Sequence, residues 1–136
     1  SSNFISLFYG EFDGDGILRY CNAGHNPPVL LHYGELIQLK QGGLVLGPDP
    51  EAKYSQGSVR MMPEDTLVLY TDGIIEAVDP KGEQFGLHRL NRIISGSSQS
   101  DAHAIVSSVF QAVDSFIQDS PHMDDMTVLV VRRIGS

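Results

Sequence analysis

Three aspartates lie at points where apolar runs of the sequence begin or end. Asp72 comes directly after residues 67–71, and Asp124 and Asp125 come directly before residues 126–131. Both runs have the composition of buried β-strands. If the two strands pair antiparallel, the C-terminal end of one lies beside the N-terminal end of the other. The spacing therefore predicts that the three carboxylates converge at one edge of a sheet.

Carboxylates packed together repel one another unless protons or a cation neutralise them. Hard oxygen ligands without thiolates suit Mg²⁺ or Mn²⁺, so a divalent-metal site is the first hypothesis for Asp72, Asp124 and Asp125. The alternative is a simple turn at Asp72-Gly73 and a solvated loop pair at Asp124-Asp125, because aspartate is common in turns. The residue types and their spacing leave both interpretations open.

Three further side chains are candidates for an accessory role. His25, in the loop at residues 23–28, could act as a general acid, or it could fix its loop by hydrogen bonding to the backbone. His122 lies two residues before Asp124 and could bind metal or donate a proton, or it could be a polar loop residue. Glu76 could order water around a cation, or it could be a solvated acid at a helix end.

The elements that must position these residues change character along the chain. The first half has β-branched and aromatic runs separated by turn residues, and the second half has apolar residues at helical spacing. We predict two hairpins, a loop over residues 41–50, and a second helix that Ser100 caps and Pro121 ends. The predicted strands cover residues 4–12, 17–20, 29–32, 35–39, 55–61, 66–70 and 126–131, and the predicted helices lie within residues 86–96 and 101–117.

This order of elements indicates one α+β domain over residues 1–136, with mainly antiparallel sheet. The three consecutive apolar residues 29–31 predict a strand covered on both faces, and the run at 126–131 is predicted to be buried throughout.

Composition limits the classes of function. The 136 residues carry 9 Lys and Arg against 17 Asp and Glu, a formal net charge of −8, which disfavours nucleic-acid binding. The single cysteine, Cys21, excludes an internal disulfide and a zinc thiolate cluster, and fits a reducing compartment. No apolar run has the length to span a bilayer. We expect a cytoplasmic protein without membrane contact.

Four motifs occur in order at residues 20–28, 69–77, 82–86 and 124–127. Together they resemble the bacterial branch of the metal-dependent type 2C protein phosphatases, of the stage II sporulation protein E and stress-response regulator type. The resemblance extends from about residue 4 to residue 132. It implies an antiparallel β-sandwich between helices, a four-layer αββα arrangement, with a two-metal site at one end.

Position by position, the resemblance implies that Asp72, the backbone of Gly73 and Asp124 bind Mn²⁺ or Mg²⁺, with Asp125 ordering the site. It implies hydrolysis of phosphoserine or phosphothreonine by metal-activated water, which requires no nucleophilic side chain. The implied partners are a phosphorylated signalling protein, such as an anti-sigma factor antagonist, and sensor domains upstream on the same chain.

The sequence departs from the family pattern in one respect. Members carry two aspartate-containing motifs upstream of the segment that matches residue 4, and these supply a bridging aspartate that residues 1–136 lack. We therefore expect an incomplete sandwich, the C-terminal portion of a phosphatase domain, whose exposed strand edges would allow a homodimer. The alternative is a non-catalytic, phosphatase-like module that docks a regulatory protein.

Overall fold

A computed structural model of the chain describes residues 5–47, 49–122 and 124–135. The described residues form eight strands and three helices: β1 (Leu7–Phe12), β2 (Ile17–Ala23), β3 (Val29–His32), β4 (Glu35–Gln38), β5 (Gly42–Gly43), β6 (Gly57–Arg60), β7 (Thr66–Tyr70), α1 (Asp72–Ile75), α2 (Gly86–Ser95), α3 (Ala102–Ile117) and β8 (Val128–Arg132). None of the described helices combines the length and the apolarity that crossing a bilayer requires.

The strands form two sheets of four. In the first sheet β2 is central, with β1 on one side and both β5 and β6 on the other, and in the second sheet the order is β4-β3-β7-β8. Among these strands, every pairing is antiparallel except that of β2 with the two-residue β5. Both predicted hairpins are confirmed. In the first, Asp13 Oδ1 accepts the amide hydrogens of Asp15 and Ile17 at 2.8 and 3.1 Å, which closes the turn.

The apolar side chains separate into two clusters, one on each face of the second sheet. The cluster between this sheet and the helices includes Val29 and Leu31, and the cluster between the two sheets includes Leu30. All three of these side chains are buried, so the predicted two-sided burial of β3 is confirmed. Fully burying a side chain of this kind stabilises the fold by roughly 1.5–3 kcal/mol.

All three described helices contribute side chains to the cluster on the second sheet, which gives the layer order helix, sheet, sheet. The predicted α+β class and antiparallel sandwich are confirmed. A fourth layer, with helices outside the first sheet, has no counterpart in the described part of the chain.

The start of α3 corrects one prediction. The N-cap is Asp101 and not Ser100, since the Asp101 side chain accepts a hydrogen bond from the backbone N–H of Ala104 at 2.7 Å. Ser100 instead donates its own N–H to the carbonyl of Ser97 at 2.9 Å, in the turn that follows α2. The two residues are equally suited to capping by type, and the preceding turn decides between them.

The last strand corrects a second prediction. The run expected to be buried throughout is only partly covered, and Leu129 is 54% exposed. β8 is the outermost strand of its sheet, with β7 beside it and α3 packed against it. Val128 and Val130 pack towards the helices, whereas on the opposite face only Val131 reaches the cluster between the sheets and Leu129 is left open to solvent.

The segment predicted as a loop at residues 41–50 is mostly irregular, as expected, although Gly42–Gly43 forms β5. Leu46 forms an isolated bridge with Ile5, with hydrogen bonds of 2.7 and 2.8 Å between their backbones. Pro48 lies outside the described residues. The predicted strand at residues 55–61 is confirmed in its central part as β6.

Candidate metal centre

The pairing of β7 with β8 sets the geometry of the site. The strands are antiparallel as predicted, and the register ends with Tyr70 opposite Val128. Beyond this pair, Thr71 N–H donates to the Thr127 carbonyl at 3.1 Å, and Thr127 N–H donates to Thr71 Oγ1 at 3.0 Å. These two hydrogen bonds hold the residues that leave β7 against the residues that enter β8.

A cleft of about 260 Å³ opens at this end of the strand pair. Its walls contain all three aspartates that the sequence singled out, together with hydroxyls and one amide. The lining residues are Ser6, His25, Asn26, Thr71, Asp72, Asp124, Asp125 and Thr127. The structure thus brings Asp72 and Asp124, which are 52 residues apart in sequence, to one concave surface.

Gly73 explains why a glycine follows Asp72. It is buried at the start of α1, and a methyl group on its Cα would lie 1.9 Å from the backbone oxygen of Asp125. No side chain fits in that space, because the obstructing atom is a backbone oxygen, which cannot move aside by a change of rotamer. The close approach lets the chain around Asp125 lie directly against the chain around Asp72.

The Asp72 side chain is exposed and has one partner that sequence reasoning missed. Asn26 Nδ2 donates to Asp72 Oδ1 at 2.6 Å. The reason for the contact is topological: β3 pairs with β7, with Val29 opposite Val68, so the loop before β3 lies beside the residues after β7. Asn26 belongs to the first quoted motif, but only the strand order reveals its contact with Asp72.

His25 lines the aspartate cleft, and its ring also contacts its own loop. Its Nδ1 lies 3.0 Å from the carbonyl oxygen of Asn26, and its backbone N–H donates to Asn22 Oδ1 at 2.8 Å. Because a carbonyl oxygen only accepts, Nδ1 carries the hydrogen. The loop-fixing interaction that the sequence suggested is therefore present.

Glu76 and His122 lie elsewhere. Both line a second cleft of about 250 Å³, together with Asp124 and with apolar side chains that include Ile117 and Met126. Asp124 borders both clefts, so the two share one wall. The structure therefore separates the accessory candidates: His25 lies with the aspartates, while Glu76 and His122 lie in the neighbouring cleft.

The electrostatics of the aspartate cleft are those of an acidic site. Neither lysine nor arginine contributes to its lining, and among the described residues no salt bridge involves Asp72, Asp124 or Asp125. Asp124 Oδ1 accepts the N–H of Asp125 at 2.8 Å. The pKa of the neighbouring Tyr70 is raised, first by its burial and second by the negative charge of Asp72.

The donor set fits a hard divalent cation in its chemistry. Three carboxylates and the hydroxyls of Thr71 and Thr127 provide oxygen, and the cleft contains no thiolate. Across residues 5–47, 49–122 and 124–135, however, no group of three or more acidic, histidine or cysteine side chains is close enough together to hold a metal ion. The described residues alone therefore do not assemble a three-ligand metal site.

Comparison with known proteins identifies the class. The family model for Stage II sporulation protein E (SpoIIE) matches residues 1–134, and the chain belongs to this family. The resemblance to SpoIIE-type phosphatases drawn from the four motifs is confirmed.

Individual relatives agree with this assignment. The chain is 33% identical to Protein IcfG of Synechocystis sp. over 132 residues, covering 96% of this chain and 21% of IcfG. It is 30% identical to the phosphoserine phosphatase RsbU of Bacillus subtilis over 138 residues, covering 98% of this chain and 40% of RsbU. The chain therefore spans less than half of either relative.

The fold is that of a solved phosphatase domain. The manganese-presoaked structure of the SpoIIE phosphatase domain from Bacillus subtilis superimposes with a TM-score of 0.73 at 21% identity. The match covers 96% of this chain and 57% of that domain.

Proposed function

We propose that this chain is the C-terminal portion of a metal-dependent protein-serine/threonine phosphatase. One observation carries the proposal: the antiparallel ends of β7 and β8 place Asp72, Asp124 and Asp125 on one cleft, in a chain of the SpoIIE family. The relative RsbU is a phosphoserine phosphatase, and the related SpoIIE domain was presoaked with manganese. The substrate proposed here is a phosphorylated signalling protein in the cytoplasm, of the anti-sigma factor antagonist kind.

Asp72, Asp124 and the backbone of Gly73 are the proposed ligands for Mn²⁺ or Mg²⁺, with Asp125 beside them. A bridging aspartate is proposed to come from a segment outside residues 1–136, together with sensor domains. When bound, a pair of divalent cations would lower the pKa of water and neutralise charge on the phosphoryl oxygens.

The chain's own residues perform the remaining tasks. The Thr71–Thr127 hydrogen bonds hold the two strand ends together, and Gly73 allows the Asp125 backbone to approach. His25 Nδ1 donates to a carbonyl, so a proton could leave only from Nε2. The proposed general acid is therefore the imidazolium form of His25, which carries hydrogen on both ring nitrogens, gives its Nε2 proton to the departing serine oxygen and becomes the neutral Nδ1–H tautomer. Such an assembly acts by positioning and by electrostatics, with water as the nucleophile.

A second candidate is a phosphatase-like module that docks a partner without chemistry. It is favoured by one observation, that no group of three metal-ligating side chains is assembled among the described residues. The two candidates differ in what Asp72→Asn does, because a docking module has no need of that carboxylate.

The test measures Mn²⁺-dependent hydrolysis of a phosphoserine peptide by the full-length protein and its variants. Asp72→Asn and Asp124→Asn are expected to lower kcat/KM by at least about 100-fold, since each removes a carboxylate from the cation site. Asp114→Asn is the matched control, because it makes the same chemical change at an exposed position of α3.

Direct Mn²⁺ titration by calorimetry, with circular dichroism to confirm folding, separates the two candidates. Binding by the parent and weaker binding by both site variants supports the phosphatase. If folded Asp72→Asn and Asp124→Asn proteins bind Mn²⁺ and hydrolyse the peptide as the parent does, the proposed site is wrong. A parent that binds no Mn²⁺ and has no activity favours the docking module.

A further inference from the structure

The shortest link between the motif at residues 20–28 and the proposed metal site is one side-chain hydrogen bond. Asn26 Nδ2 lies 2.6 Å from Asp72 Oδ1. An ionised carboxylate can only accept hydrogen bonds, so the amide must present its NH₂ group to Asp72. A hydrogen bond to a charged acceptor is also shorter and stronger than one between neutral groups.

The loop that carries Asn26 is anchored at its base by Asn22. The Asn22 residue is 4% exposed, and its Oδ1 accepts the N–H of His25. Its backbone N–H donates to the Gln41 carbonyl at 2.8 Å, and its Nδ2 lies 3.4 Å from the Leu39 carbonyl. The loop is thus attached both to the end of β2 and to the segment after β4.

The C-terminal part of this loop is also held in place by hydrogen bonds. The His25 ring holds the Asn26 carbonyl at 3.0 Å, and the Pro28 carbonyl accepts the N–H of Leu39 at 2.9 Å. Pro27 fixes its own φ and restricts Asn26, the residue before it, to extended backbone conformations. Asn26 is therefore presented to Asp72 from a loop with little freedom to move.

We propose that Asn26 is a positioning residue for the metal site: it fixes the plane of the Asp72 carboxylate so that the carboxylate is already oriented for a divalent cation. The proposal rests on the proposed function, since it assigns Asp72 to that cation. An exposed aspartate otherwise samples several rotamers, and binding must restrict them. Partners that orient metal ligands typically contribute 10- to 100-fold to metal affinity.

The test compares Mn²⁺ affinity in the full-length protein and in its Asn26→Ala variant, by calorimetry and by the paramagnetic resonance signal of free Mn²⁺. We expect the Kd for Mn²⁺ to rise about 10- to 100-fold in the variant. The melting temperature in EDTA should remain close to that of the parent, and hydrolysis should recover at saturating Mn²⁺. Gln111→Ala, which removes an exposed amide on α3, is the control and should change none of these quantities.

A pair exchange distinguishes positioning from general stabilisation. In the double variant Asn26→Asp/Asp72→Asn the hydrogen bond can re-form with donor and acceptor exchanged, but the carboxylate lies at the wrong residue. We expect this variant to melt like the parent and to bind Mn²⁺ weakly. If Asn26→Ala does not fold, Asn26→Ser replaces it, because serine tolerates loop conformations and lacks the long amide.

Three outcomes would overturn the proposal. These are parental Mn²⁺ affinity in the Asn26 variant, a loss of affinity accompanied by a matching loss of metal-free stability, and recovery of full affinity in the exchanged pair. Failure of the proposed function looks different, because neither the parent nor Asp72→Asn would then show the expected Mn²⁺ response. The affinities of the parent and of Asp72→Asn therefore decide which of the two proposals has failed.

Discussion

The backbone oxygen of Asp125 lies against the Cα of Gly73, at the point where a methyl group would be 1.9 Å away. This contact joins the two segments that carry the candidate ligands, because Gly73 follows Asp72 and Asp125 follows Asp124. Only a hydrogen atom fits at this position on the Gly73 Cα, so the two segments can come together only because the residue is glycine.

Gly73→Ala should force these segments apart. We expect the free energy of unfolding to fall by about 1–3 kcal/mol, the usual cost of inserting a methyl group into a packed site, with loss of Mn²⁺ binding as the segments separate. Urea denaturation and Mn²⁺ titration of the full-length protein measure the two effects. The control is Gly14→Ala in the first hairpin turn, where an added Cβ meets no atom within 4 Å. Equal stability of the two variants would contradict the prediction.

Asp72→Asn should lower the pKa of Tyr70. Burial and the Asp72 charge both raise that pKa above its ordinary value of 10.0, so removing the charge leaves only the effect of burial. The measurement is the ultraviolet titration of tyrosinate, with Tyr70→Phe used to assign the signal. An unchanged Tyr70 titration in Asp72→Asn would show that the two groups do not interact.

The raised pKa of Tyr70 also predicts how the stability of the fold changes with pH in the alkaline range. Because the folded pKa of Tyr70 lies above the unfolded value, its contribution to stability is fully present below the unfolded pKa and is lost as pH rises through the folded pKa. Tyr70→Phe should therefore flatten the decline in stability above about pH 10, measured by denaturant titration at several pH values. Tyr33→Phe, at an exposed hairpin tip, serves as the control.

The N-cap of α3 can be tested by comparing substitutions at the neighbouring residues Asp101 and Ser100. Asp101→Ala should reduce the free energy of unfolding by about 1 kcal/mol, because it leaves the Ala104 N–H without its acceptor. Ser100→Ala should have a much smaller effect, since only the Ser100 backbone N–H has a partner in the turn after α2. Thermal or urea unfolding of both variants would settle the assignment, and a larger loss in Ser100→Ala would contradict it.

The strands at the edges of the two sheets lead us to expect that residues 1–136, when produced without the rest of the protein, self-associate. β1 and β8 are both edge strands, and they expose Tyr9 and Leu129 to the same extent, 54%. Unprotected edges with exposed apolar side chains pair with other chains. Sedimentation should show mass increasing with concentration, and Tyr9→Lys/Leu129→Lys should reduce it while Tyr33→Lys does not. A monomer at every concentration would refute this.

The strands that carry the aspartates were predictable because their apolar runs are long and their ends are marked by acids. Antiparallel pairing of β7 with β8 then brings their aspartate-bearing ends together, although it does not by itself fix the residue-by-residue register. Gly73 was predictable as part of the motif, although its reason, the approach of the Asp125 backbone, was visible only in three dimensions.

Two features could not be predicted, because they depend on which elements become neighbours. The contact of Asn26 with Asp72 requires β3 to lie beside β7, and the exposure of Leu129 requires β8 to be at an edge. The hydrophobic periodicity of the local sequence shows which segments form strands. It does not show the order of those strands in a sheet. The choice of Asp101 over Ser100 likewise depends on the turn that precedes α3, where the ends of helices vary by one or two residues.

The pairing of β7 with β8 also determines when the aspartate cleft can form during synthesis of the chain. Asp72 is synthesised 52 residues before Asp124, and its partners across the cleft do not exist until residues 124–132 have been translated and have paired with residues 66–70. A nascent chain that ends before this point therefore carries Asp72 without the two aspartates that line the other side of the cleft. Assembly of the acidic site is a late step of biosynthesis, coupled to the docking of β8.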